Sequence, residues 1–244
     1  MEISEGKAQV IHLLVTQIQE NTSIDCVTKF SLSTYATQLK FNSYVVGISP
    51  TDDTVFSKNI DIEKVQYLMT YIVEYLVSNT LSVENFALTK YYLDSLYLLL
   101  TDHGALHITY QPSFLLRSSE LGEQLGVSRT TIKSMVKNGM ETIEQVGYSS
   151  FPKHNEFYWK DGIWASRIQS IHQQQKIRNQ TKEDLIREIE QDINDFTNRY
   201  NGDFHTVFAD VLSGIKNKYD LAEPDDFADW KGLLEDLELL KRNS

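Results

Sequence analysis

SSELGEQLGVSRTTIKSMVKNGMETIEQVGYSSFPKHNEFYW, residues 118–159, is the stretch around which the rest of the chain is understood. Ser119 is suited to cap a short helix from Glu120 to Leu125, which places Leu121 and Leu125 on one face. Gly126 stops that helix, Val127 puts an apolar side chain into the turn, and Ser128 caps a second helix. The second helix is expected to bury Ile132, Met135 and Val136, leaving Arg129, Lys133 and Lys137 on other faces. Asn138-Gly139 ends it, because a left-handed residue after a helix costs glycine least.

Two short helices joined in this way have the spacing of a helix-turn-helix, which offers the start of its second helix to the DNA major groove. Residue types then suggest roles. Arg129 suits a guanine edge or a phosphate, Thr130 and Thr131 a phosphate or a thymine methyl, and Lys133 and Lys137 phosphates. Arg117, Ser128 and Ser134 complete the expected contact set on and beside the two helices. After Gly139 two short strands are expected, at about residues 140–146 and 156–159, with Lys153 and His154 in a loop over 147–155. Such a hairpin would be a wing whose basic tip lies along the backbone or in the minor groove.

GVSRTTIKSMVKNG, followed by a short strand, VG and a polar loop, resembles the excisionase-type, or MerR-like, winged helix-turn-helix. It is similar in particular to bacterial antitoxin-like regulators with the pattern LGVSRPT, an apolar helix, a glycine and VG-x-HRR. The resemblance covers about residues 105–160. Thr130 stands where that family usually has Pro, at a first-turn position where either residue fits. The HRR after VG is absent, and PKHN stands further along. The resemblance implies DNA binding and a short strand before the helix-turn-helix.

The remaining 202 residues set the context, and 244 residues with 41% hydrophobic content predict two or three units with ordinary cores. The net charge of −11 argues against nucleic acid until it is divided by region. Residues 1–111 carry −6, residues 112–178 carry +3 and residues 179–244 carry −8. Charges act over roughly 8 Å at physiological salt, so a local basic face can operate on an acidic protein. No apolar run is long enough for a membrane span and the opening residues do not read as a leader, so a cytoplasmic protein without a membrane partner is expected. Cys26, the single cysteine, has no partner for an internal disulfide and reads as a small buried hydrophobe.

Residues 7–20 form an amphipathic helix, with Val10, Leu13, Leu14 and Ile18 at helical spacing. Residues 27–50 favour extended structure, although SLSTYATQLKF also reads as a helix starting at Ser33. Residues 61–79, capped by Asp61, and a second helix capped by Ser82 and ending at Gly104 are apolar and rich in tyrosine. They predict either a helical core or a surface for dimerisation, an effector or a protein partner. ALHITYQP, residues 105–112, alternates as a strand and is expected to join the wing as its third strand. Residues 163–178, 181–200, 203–219 and 225–240 read as helices, the second with a TKED capping box. This acidic tail docks on its own core, joins a twin subunit or binds a basic partner.

The usual catalytic arrangements are missing: there is no P-loop, G-x-G-x-x-G, H-E-x-x-H, G-x-S-x-G or C-x-x-C, and the six histidines are scattered. His103 and His107 are four apart, but Gly104 separates them and the second falls on an expected strand. The expectation is therefore a non-enzymatic protein without catalytic residues, metal or cofactor. It is a mostly α chain with an α-rich N-terminal domain (1–104), a winged helix-turn-helix (105–162) and an acidic helical C-terminal domain (163–244). It binds double-stranded DNA as a homodimer in bacterial or phage regulation, as a repressor. The other readings are an antitoxin that also neutralises a protein, an excisionase-like accessory factor and a protein-binding adaptor.

Overall fold

The computed structural model describes residues 4–145 and 148–242. It is mostly α, with 67% helix, and packing groups it into two compact units, Met1–Asn179 and Gln180–Ser244. The segments separated in the sequence at 104 and 162 thus share one unit, which also takes in the helix up to Asn179.

The first unit begins with α1 (Glu5–Glu20) and α2 (Cys26–Lys40). The region that favoured extended structure is largely helical because Asp25 accepts from the Thr28 amide at 2.7 Å and starts α2 early. Strands β1 (Val45–Pro50) and β2 (Val55–Phe56) follow, then α3 (Ile62–Val77) and α4 (Val83–Leu100), capped by Asp61 and Ser82 as expected. Helix α4 stops before Gly104: Thr101–His103 is a strand, β3, paired antiparallel with β2. Strand β4 (Leu106–Tyr110) forms where the alternation predicted, but it pairs antiparallel with β1 instead of joining the wing. Val45 and Tyr110 are partners in that register, and burying both is what selects it.

The four helices close on Ile11, Val15, Phe30, Ile72, Leu93 and Leu96. Helix α4 packs against α2 and α3, and also against two later helices, α7 (His154–Lys160) and α8 (Gly162–Asn179). It therefore belongs to two neighbourhoods at once. The second neighbourhood starts at an aromatic cluster of Phe41, Phe86, Tyr110 and Phe114. Asn179 at the end of α8 exchanges hydrogen bonds with Gly104, at 3.0 and 2.9 Å. Arg178 donates to the carbonyls of Leu98 and Thr101, orphaned at the end of α4.

The second unit holds α9 (Lys182–Tyr200), α10 (Phe204–Val207), α11 (Ala209–Leu212) and α12 (Pro224–Arg242). Thr181 and Asp184 cap α9 reciprocally, as the TKED pattern predicts. The single helix expected over 203–219 is broken into two short turns and a 3-10 turn at Lys218–Asp220. Gly214 interrupts it with φ +75°. The core of this unit is Phe204, Phe208, Phe227 and Trp230, the last stacked on Phe196 at 5.4 Å between centroids. Among the described residues no helix is long and apolar enough to cross a membrane.

Candidate nucleic-acid interface

Strand β5 (Leu115–Arg117) runs directly into α5 (Ser118–Leu125). The helix starts earlier than the Ser119 cap predicted, because the Glu120 carboxylate reaches back to the Arg117 amide at 2.6 Å. Gly126 takes φ +68°, and the Val127 amide donates to the Gly122 carbonyl at 2.9 Å, which turns the chain within three residues. Ser128 then caps α6 (Arg129–Lys137), accepting from the Thr131 amide at 3.2 Å. Ile132 is buried with Leu116, Leu121, Met140 and Phe151, and Val127, Met135 and Val136 pack around them. Leu121, Val127, Ile132, Met135 and Val136 were legible as core positions of a helix-turn-helix, whereas Leu116, Met140 and Phe151, which close the same core from the strands and from the loop after α6, were not.

A three-stranded antiparallel sheet completes the motif, in the order β5, β7 (Tyr148–Pro152), β6 (Ile143–Gln145). Leu116 faces Phe151 and Glu144 faces Ser149 across the ladders. The wing is therefore present, but its third strand is β5, and its second strand lies at 148–152 instead of 156–159. Residues 154–160 are helical because Asn155 and Tyr158 are buried at helical spacing and the Tyr158 hydroxyl donates to the Ala87 carbonyl of α4 at 2.5 Å. The turn between β6 and β7 lies outside the described residues.

Arg117, Arg129, Lys133 and Lys137 line one cleft between α6 and the sheet, about 810 Å³ in volume. The three cations of α6 recur every four residues, so they lie along one side of the helix. Ser118, Ser119, Tyr148 and Ser149 line the same cleft and Glu144 places one carboxylate in it. Ser128, Thr130, Thr131 and Ser134 are exposed on α6, although the Ser128 and Thr131 hydroxyls are 3.0 Å apart and partly engaged with each other.

Lys153 and His154 do not belong to this face. They follow the far end of β7, about 17 Å of strand away from the wing turn. Lys153 is half-buried and opens α7, and His154 is fully buried at 0% exposure. Its ring packs among Phe86, Tyr110, Phe114 and Tyr158. As a wing contact, His154 is corrected to a core residue.

Beneath the motif lies a charged cluster that the sequence did not reveal. The Glu141 carboxylate accepts from the Tyr110 hydroxyl at 2.7 Å and from His154 Nε2 at 2.9 Å, and lies 3.2 Å from Lys90 Nζ. Lys90 also pairs with Asp94 at 2.6 Å, and Asn155 donates to the Glu141 carbonyl at 2.8 Å. Burial works against charge throughout. It lifts the Asp94 carboxyl above its usual range and lowers His154, which therefore keeps one proton and donates it to Glu141. For Glu141, burial is outweighed by Lys90 and by the His154 and Tyr110 hydrogen bonds, which hold it low; for Lys90, Asp94 and Glu141 outweigh burial and hold it high. The one local signal was Lys90 and Asp94 four residues apart on an otherwise apolar helix.

No family model, curated protein or solved structure matches the chain.

Proposed function

We propose that this chain is a sequence-specific DNA-binding transcriptional regulator, a repressor that reads the major groove with α6. The observation that carries the reading is the convergence of Arg117, Arg129, Lys133 and Lys137 on one cleft beside a serine-capped helix. Four cations at one mouth give the electrostatic footprint that phosphate binding needs, and the exposed first turn of α6 offers Arg129 and Thr130 to base edges. The +3 charge of residues 112–178 against the acidic remainder confines that attraction to this face. The similarity to the excisionase/MerR-like family supports the same role. The chain acts in the cytoplasm as a homodimer, whose two copies of α6 are set about one DNA turn apart.

The test is selection of duplexes from a random pool by the purified protein, then anisotropy titration of the recovered sequence at several salt concentrations. The expected result is an inverted repeat, a steep fall of affinity with salt, and loss with Arg129→Ala. Absence of any enriched sequence overturns the reading.

A further inference from the structure

We infer that the cavity behind α6, where α4, α6 and α8 meet, is a binding site for a small organic ammonium compound with an apolar body. The cavity is about 420 Å³, within the range that drug-sized ligands occupy. Lys90, Asp94 and Glu141 stand in its wall on the α4 side, and α8 contributes apolar Ile168 and Ile171 together with polar His172 and Gln175.

The charge count of the wall on the α4 side selects the ligand. One ammonium, Lys90, serves two carboxylates, Asp94 at 2.6 Å and Glu141 at 3.2 Å. The further donors to Glu141, the Tyr110 hydroxyl and His154, bring no second cation, so the wall holds one carboxylate more than it has ammonium groups, and Asp94 is the more deeply buried of the two. A buried charge short of a partner is costly, and an incoming ammonium supplies the missing cation where neutral or anionic molecules cannot. The apolar residues of α8 would cover the ligand's body.

The site is built into the motif. Val136 lies in the last turn of α6 and Gly139 just beyond it; Gly139 has φ +101° and no room for a side chain, since a Cβ there would lie 2.6 Å from that of His172 on α8. Helix α8 is thus held at backbone distance from the end of α6, and a ligand between α4 and α8 would press on that contact. A regulatory role for the ligand rests on the DNA-binding reading of α6, whereas its binding does not.

Isothermal titration calorimetry on the full chain without DNA separates the two, using phenethylamine, 2-phenylethanol and 3-phenylpropionate. The expected result is saturable binding of the amine, with the alcohol at least about tenfold weaker and the carboxylate weaker still. Asp94→Asn should lower amine affinity at least about tenfold and leave the alcohol unchanged. Ile168→Trp, at a half-buried position, should abolish binding by filling the space with the circular dichroism spectrum intact. Equal binding of amine and alcohol, no saturable amine binding, or full binding by Ile168→Trp overturns the proposal. These outcomes decide it even if Asp94→Asn fails to fold.

Discussion

Glu141, two residues beyond Gly139 at the end of α6, holds its carboxylate 3.2 Å from the ammonium of Lys90 on α4. Through this pair the helix-turn-helix is bonded to the central helix of the N-terminal bundle, within the one compact unit that holds both. Replacing Lys90 by Met would leave Asp94 and Glu141 buried together without their cation. Removing one partner of a buried pair costs on the order of 3–5 kcal/mol, more than Lys90's methylene packing can return. Urea unfolding of Lys90→Met should show that loss, with the bundle and the motif melting in a single transition. A loss below about 1 kcal/mol would mean that the charges are compensated by solvent.

His154 gives the same cluster a pH dependence. Burial lowers its pKa in the folded state, so between the unfolded value of about 6.5 and the lower folded value the unfolded chain binds the extra proton. Stability from this residue is therefore complete above about pH 6.5 and is lost progressively on acidification. Glu141, also held low, adds a loss of the same sign, but only below about pH 4.3. His154→Phe should remain folded among the aromatic rings and should fall off less steeply than the natural chain between pH 6.5 and 5. Parallel curves would remove histidine titration as the cause.

Positions on the motif should separate by DNA readout. Arg129→Ala is expected to cost about 1–3 kcal/mol on the selected sequence and to relax preference at one base pair. Lys133→Ala should weaken all duplexes alike and reduce the salt slope by about one. Lys153→Ala should leave affinity unchanged, because Lys153 follows the far end of β7. A large Lys153 effect, with little from Lys133, would place the interface elsewhere.

These contrasts follow what was and was not legible in the sequence. Ser128, Asp61, Ser82 and Thr181 were identified as caps because each bonds an amide three residues away. The alternation of Leu106 to Tyr110 marked a strand equally well, yet its partner, β1, lies some sixty residues earlier. Pairing of that range leaves no trace in local periodicity. His154 failed for the same reason. PKHN looks like a polar loop tip, and only Glu141, Phe114 and Tyr110, brought in from three other elements, make its ring a core group.

Lys40 should show a pH dependence of the same sign as His154, in a more alkaline window. It is 1% exposed and donates to the carbonyls of Tyr75, Leu76 and Ser78 at the end of α3. Burial pushes it down to about 8, against about 10.4 unfolded, so between those values the unfolded chain holds the extra proton and stability rises with pH. Lys40→Met removes the titration and strands the carbonyls, at a cost of about 1–3 kcal/mol near neutrality. The gap between natural and variant chains should widen from pH 8 to 10; a constant gap would show that Lys40 titrates normally.

The two left-handed glycines of the helix-turn-helix should respond unequally to alanine. Gly126 has φ +68° with open space where a Cβ would stand, so Gly126→Ala should cost only the backbone term, about 1–2 kcal/mol. Gly139, at φ +101°, bears the same kind of strain, and its new methyl would lie 2.6 Å from the His172 Cβ and 2.8 Å from Cγ. Relief requires α8 to move, and α8 is anchored at its end by Asn179 on Gly104 and Arg178 on Leu98 and Thr101. Gly139→Ala should therefore destabilise the first unit by clearly more than Gly126→Ala in denaturant melts. It should also expose Trp164 fluorescence to quencher, because that indole, packed on Tyr91 at 5.2 Å, moves with α8. Equal losses for the two variants would mean that α8 yields freely and does not bear on the end of α6.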